Sequence, residues 1–373
     1  MARKIMIIGL GGLGFDMLQF LARTTGVSEI VTADKDDTNG LFKTQNAIHG
    51  ASCHGCYPRI SFVQMDVSDV ANTASVLKQV KPTVVINATT MLPWWAYHRL
   101  PKELYKKLHE NGIAPLVPVF LTLTHKLMQA VRDSELDVPV VSCCFPDLVN
   151  PMLGKIGLAP TVGGGNHVLL VPELRRIVSE EMNVSMRNVA VYMVSHHGIL
   201  SRFMQAPFWL KILVDDKDVG ERFPPDRVRD LLEPSVRRLL GGGKEWKVPP
   251  NADIASSFLT AVLAIYFDTG ALCHVTGPLG LPGGYPIHLS LDSVELALPE
   301  GLSQDEAVRI AEEAGRVGDG VDKIENDGTL IPTDESAAAH KEVLGIDCKE
   351  IRVEECEERA QELIAAFKRI GTD

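Results

Sequence analysis

The most specific chemistry in this chain lies in its first residues. Gly9-Leu10-Gly11-Gly12-Leu13-Gly14 places glycines at 9, 11 and 14 as G-x-G-x-x-G, a spacing that wraps a main-chain turn around a pyrophosphate. Gly9 permits the tight turn, Gly11 lets the backbone approach the phosphates, and Gly14 lets a helix pack close to the preceding strand. Gly12 and Leu13 begin that helix, whose free N–H groups and positive dipole end suit an anion. Asp34 stands twenty residues after Gly14, where an acid accepts hydrogen bonds from a ribose 2′-hydroxyl and repels a 2′-phosphate. It points to NAD over NADP, with Lys35 beside it pulling the other way. The second group is Ser195-His196-His197-Gly198. Histidine carries a proton near neutral pH, and hydride transfer at a carbon bearing oxygen or nitrogen needs one proton moved on the heteroatom. A histidine at the end of a strand suits that task, His197 before His196. The alternative is a hydrogen-bonded filler, and His274 and His288 on later strands could also line a site.

These residues need elements to hold them. Residues 5–8 read as a buried parallel strand, 15–22 as a helix, and 30–33 as the strand that ends in Asp34. Residues 35–59 are polar, with room for a short helix. The next strand, 60–65, ends in Asp66-Val-Ser-Asp69. An Asp just after the third strand of such a sheet lies near an adenine, so either Asp66 takes that place or Asp69 simply caps the following helix. A fourth strand, 83–88, ends in Ala88 and releases the loop carrying Trp94, Trp95, Tyr97, His98 and Arg99. Ligands of open α/β sheets sit at such carboxyl ends, so this loop reads either as part of the site or as an oligomer contact. Helices at 102–111 and 121–133 and a fifth strand at 138–144 complete an alternating βα pattern, which closes on Asn150-Pro151.

From residue 152 the rhythm changes. A glycine-rich turn at 161–166 leads into a helix over 172–182, then a strand over 188–195. An amphipathic helix over 225–240 stops at Gly241-Gly242-Gly243, and a long apolar helix covers 253–269. Strands at 273–276, 286–291 and 295–298 and helices at 304–316 and 353–369 follow. The expected fold is α/β: a doubly wound parallel Rossmann sheet over 1–151, then a mixed α+β domain over 152–373.

Composition narrows the function. The chain of 373 residues is 45% hydrophobic and 23% charged, as in ordinary globular proteins. A net charge of −11 disfavours nucleic acid or an anionic membrane as partner, and no run of eighteen apolar residues suggests a span. The first strand begins almost at the N-terminus, so a cytoplasmic protein is expected. Seven cysteines form no paired framework, and reduced thiols are the simpler reading. Cys53-His54-Gly55-Cys56 lacks a second ligand cluster, so no metal is expected.

Taken in order, these features resemble the lactate and malate dehydrogenase superfamily across nearly the whole chain. Asn150-Pro151 resembles its Asn-Pro, which implies that Asn150 contacts the nicotinamide and the substrate. Ser195-His196-His197-Gly198 is similar to its Gly-Glu-His-Gly, which implies a catalytic role for His197. The 94–99 loop takes the place of its mobile substrate loop, with Arg99 as the substrate-facing arginine. The order of apolar helix, strand, Gly280-Leu281-Pro282-Gly283-Gly284 turn, strands and final helix also fits. The first domain is similar to saccharopine-dehydrogenase-type reductases as well. One departure stands out: the family's Leu-Asp-x-x-Arg, whose Asp orients the histidine and whose Arg grips a carboxylate, falls here on Leu170 and Glu173. Like charges repel, so Glu173 implies a neutral or cationic substrate end, or else itself orients His197. The resemblance implies an NAD-dependent oxidoreductase, acting on a small polar metabolite other than a standard 2-hydroxy acid, with His197 as acid–base. A dehydrogenase that reduces an imine formed from an amine and a carbonyl, and an NAD-bound regulatory protein without turnover, are the alternatives. The resemblance and the apolar helix together imply a homodimer or homotetramer.

Overall fold

A computed structural model describes residues 3–239 and 251–371; the expected break at Gly241–Gly243 and the helix's last residue, Leu240, lie outside them. The strands are β1 (Ile5–Ile8), β2 (Glu29–Asp34), β3 (Arg59–Gln64), β4 (Val84–Asn87), β5 (Val140–Ser142), β6 (Val162–Gly163), β7 (Val189–Val194), β8 (Trp209–Val214), β9 (Lys217–Asp218), β10 (Ala271–Thr276), β11 (Gly284–Leu289), β12 (Val294–Leu296), β13 (Val321–Ile324) and β14 (Leu330–Pro332). Among the described residues, nine of them form one sheet in the order β12-β11-β10-β6-β5-β4-β1-β2-β3. The run from β6 to β3 is parallel, and β10, β11 and β12 join it antiparallel. The strand order 3-2-1-4-5-6 reverses between β1 and β4, which opens a crevice at their carboxyl ends.

The pleat explains the continuous apolar runs. Ile5 and Ile7 of β1, with Val84 and Ile86 of β4, face a core shared with the helices Gly12–Leu21 and Asn251–Phe267. Met6, Ile8 and Val85 face the opposite core, shared with Val70–Val80, Val117–Asp133 and Cys356–Ile370. A strand buried on both faces loses the polar alternation of a half-exposed one. A third core lies between the antiparallel sheet β7-β8-β9 and the helices Leu170–Met182 and Pro225–Leu239. The fold is thus a large, mostly parallel α/β sheet with a second, smaller unit.

Several elements differ from expectation. The segment after β2 holds a 17-residue helix, Asp37–Cys53, started by the Asp36 side chain on the Asn39 amide. Its buried positions are Gly40, Thr44, Ala47 and Ala51; the stripe has helical spacing but is too small and polar to show as an apolar pattern. The hairpins β8–β9 and β13–β14 and the helix Asp334–Leu344 were not expected. The expected boundary at 151/152 falls inside the helix Pro146–Lys155, and β6, β10, β11 and β12 extend the first sheet beyond it. The 253–269 stretch is core, packed on Gly12–Leu21, with Phe258, Val262 and Ile265 buried. No helix of the described residues is long and apolar enough to cross a membrane.

Two glycines set the approach of the helix Gln304–Asp319 to the short helix Gly198–Ser201. A Cβ on Gly318 would overlap the Gly198 backbone, and one on Gly198 would overlap the Ala314 carbonyl. Gly318→Ala should cost about 1–3 kcal/mol through overpacking, read as a lower urea midpoint at unchanged slope.

Candidate active site

A cavity of about 290 Å³ opens at the carboxyl ends of β1, β4 and β5. Gly11, Gly12 and Leu13 form one end, with Ala88 and Thr90 beyond β4. Trp94, Trp95, Tyr97 and His98 line a second side, Cys143 to Pro146 the floor, and Gly164 to Asn166 with His197, Leu200 and Ser201 the opposite wall. Leu239, Ile254 and Phe258 complete it. The aromatic loop therefore belongs to the cleft.

The glycine turn is built as its spacing implies. Gly9 has φ +93°, and a Cβ there would stand 2.9 Å from the Ala88 carbonyl carbon and oxygen. A Cβ on Gly14 would overlap the Gly9 carbonyl, whereas one on Gly11 would point into open space. That open space, facing the cleft at the start of the helix Gly12–Leu21, fits the pyrophosphate of a dinucleotide. Asp34, at the end of β2, accepts from the Leu10 amide at 2.6 Å and the Asp36 amide at 3.0 Å. Lys43, which the sequence did not flag, donates to the Leu10 carbonyl at 2.6 Å. Asp66 is exposed beyond β3; the Ser68 amide holds its carboxyl below the usual range. Asp69 caps the helix Val70–Val80 by accepting from Asn72.

Across the cleft, His197 lies just beyond β7, with 18% of its side chain exposed. Its Nδ1 is 2.7 Å from Oδ1 of Asp319, the last residue of the helix Gln304–Asp319. In this bond Nδ1–H donates to the carboxylate, which leaves Nε2 as the nitrogen available to the cleft. A second acid, Asp147, accepts the His197 backbone amide at 2.9 Å and is also bonded to the Asn166 side chain. The ring of Phe145 meets the imidazole edge to face, 4.9 Å between centroids, and packs on Phe120 behind it. Burial works against a charged imidazole, but Asp319 outweighs it, with help from Asp147, and the pKa of His197 is raised above its ordinary 6.5. Asp319 is fully buried, which opposes its charge; the two neighbouring histidines prevail and hold its carboxyl far below the usual range. His196, also buried, brings its Nδ1 to 3.0 Å from Oδ2 of Asp319 and 3.2 Å from the Gly198 amide.

Other expected site residues lie elsewhere. Asn150 is not at the end of β5, which stops at Ser142; Pro146 starts a helix that carries Asn150 into the core. There its side chain donates to the Gly277 carbonyl at 3.0 Å and is not exposed to the cleft. Arg99 is exposed, with its guanidinium 4.1 Å from the Trp95 ring, outside the cleft lining. Glu173 does not orient His197: it pairs with Arg176 at 3.0 Å and accepts from Ser235 at 2.6 Å. His274 is buried and takes the Met193 amide, and His288 is exposed on β11. Neither lines the cleft. Asp319, Asp147 and Phe145 were missed. Phe145-Pro146-Asp147 carried one legible signal, a proline placed to open a helix.

No Lys, Arg, Asp or Glu stands among the described lining residues of the cleft. Burial, reinforced by His109, lowers His98 to about 4, so that ring is neutral at pH 7. Burial likewise pushes the Cys143 thiol well up and Cys144 to about 12.

No family model and no curated protein matches the chain, but solved structures share its fold. A lactate dehydrogenase from a Medee basin deep-sea metagenome library is 15% identical with a TM-score of 0.60, covering 85% of this chain and 97% of its own. The malate dehydrogenase of Salinibacter ruber is 19% identical with a TM-score of 0.56, covering 84% and 95%. The lactate dehydrogenase of Cryptosporidium parvum, solved with lactic acid and nicotinamide adenine dinucleotide, is 14% identical with a TM-score of 0.59, covering 84% and 95%. The chain has the fold of lactate and malate dehydrogenases.

The raised pKa of His197 means that its pairing stabilises the fold fully below the ordinary 6.5 and fades as pH rises through the raised value. Asp319 contributes above the usual carboxylate range and fails only in strong acid, as pH falls through its lowered value. In Asp319→Asn the burial of His197 is opposed only by the more distant Asp147. Its imidazole should then titrate below 6.5, as read from the Cε1 proton by NMR.

Proposed function

We propose that the protein is an NAD-dependent oxidoreductase in which His197 is the acid–base and Asp319 holds it in register. The observation that carries this reading is the oriented His197–Asp319 pair facing the same cleft as the open glycine turn. In this reading residues 1–151 hold most of the cofactor and residues 152–373 bring the proton carrier. Gly9, Gly11, Gly12, Leu13 and Gly14 would cradle the pyrophosphate, Asp34 the adenine ribose, and Ala88 the dinucleotide beyond β4. Bound NAD would supply the hydride chemistry.

The chain's own residues do the rest. Nε2 of His197 gives a proton to the substrate heteroatom during reduction and takes it back during oxidation. Asp319 fixes the tautomer and stabilises the imidazolium, and Asp147 fixes the backbone beneath it. Phe145 and Trp94 exclude water, which strengthens the pair electrostatically. Asn150 and Arg99 are not part of this arrangement, and neither is Glu173.

Trp94 and Trp95 line the cleft, so energy transfer from tryptophan to NADH reports binding directly. Asp34→Ala should weaken NADH about tenfold or more through loss of charge-assisted bonds and narrow its preference over NADPH. No NADH binding at millimolar concentration would end this reading. With a turned-over substrate, His197→Gln should lower kcat by roughly 10²–10⁴ while the Kd for NADH stays within about twofold.

A further inference from the structure

We infer that the substrate is an uncharged carbonyl compound carrying an aromatic or alkyl group, a ketone or aldehyde and its alcohol, and that carboxylate-bearing substrates are excluded. This inference rests on the oxidoreductase reading of the cleft. Its first support is the charge inventory. Apart from His197, whose proton goes to the carbonyl oxygen, the described lining holds no Lys or Arg to pair with a carboxylate, and burial holds the other lining imidazole, His98, neutral. Its second support lies behind His197, where the buried Asp319 carboxylate pairs with the imidazole and the buried Asp147 carboxylate accepts from the backbone amide of the same residue, two acids beside one imidazole. The field at Nε2 therefore does not favour an anion. Glu173, whose charge might have selected a cationic substrate, is turned to Arg176 and Ser235. The third support is shape: Trp94, Trp95, Phe145 and Phe258 offer ring faces and edges to the cavity. Such walls reward apolar area and penalise an unpaired charge.

The reaction balances on groups already named. Bound NADH would supply a hydride to the carbonyl carbon, and Nε2 of His197 gives its proton to the oxygen. The carbonyl is thereby reduced to an alcohol as NADH is oxidised to NAD⁺, and His197 is reprotonated from solvent.

Phenylacetone and phenylpyruvate test this, because they differ only in a methyl group against a carboxylate beside the ketone. Binding of each is measured by calorimetry on the protein with and without NADH, and turnover by NADH absorbance. Phenylacetone should bind at least about 30-fold tighter, the scale of an unpaired buried charge, and should be reduced. Ser201→Arg, at a half-buried cleft position next to the short helix's end, should raise phenylpyruvate affinity at least about tenfold by supplying the missing partner. Equal or tighter binding of phenylpyruvate by the unaltered protein would overturn the inference. So would failure of both compounds to bind, or no gain from Ser201→Arg. The preference measured without NADH is independent of cofactor binding, so a protein that favours phenylacetone yet ignores NADH would refute the oxidoreductase reading alone.

Discussion

A carboxylate with no solvent exposure must find its compensation inside the protein, and Asp319 draws the site together for that reason. Desolvating an ion costs several kcal/mol unless a partner sits in good geometry. Here the partner is His197, presented at the end of β7 at 2.7 Å. Three glycines surround the meeting point: a Cβ on Gly112 would overlap the Asp319 carbonyl, and Gly198 and Gly318 press backbone against backbone. Close approach of three main chains is what brings the carboxylate within reach of the imidazole. The helix Lys102–Asn111, the end of β7 and the helix Gln304–Asp319 are thus locked into one arrangement by a single ionic need. Each partner's charge is favoured by the other and opposed by burial, which is why one pKa rises and the other falls.

The glycine-turn half of the cleft was legible because its determinants are local. Strand, glycine turn, helix and acid follow one another within thirty residues, and each residue's type has one conformational reason. His197 was legible for a similar cause, since a polar pair ending an apolar run marks a strand end. Asp319 was not. It is 122 positions from its partner, on a helix whose other acids, such as Asp305 and Glu306, serve an exposed first turn. Nothing in residue type separates the one buried carboxylate from its solvated neighbours. Asn150 was misplaced for the opposite reason: Asn150-Pro151 reads as the end of the fifth strand, yet Pro146 has already begun a helix. Glu173 shows the limit of matching by count. The position was right for a helix near β7, but a side chain with Arg176 three residues on has a local partner, and it took that one.

The two losses read from the sequence, an orienting acid and a carboxylate-gripping cation, are physically unequal. The acid need only reach Nδ1, on the side of the ring away from the cleft, so any element packed behind β7 can supply it, and Gln304–Asp319 does. A cation for the substrate must stand on the cleft wall itself, where the described positions are filled by Trp94, Phe145, Leu200 and Phe258. Replacing one role leaves the other unfilled, because they occupy opposite sides of the same imidazole. Proton transfer at a carbonyl requires the first role whatever the substrate's charge, whereas the second is needed only to hold an anion. An aromatic wall of described residues facing a well-oriented histidine is therefore a coherent site: a lining that would penalise a carboxylate would also, by excluding water, strengthen the His197–Asp319 pair.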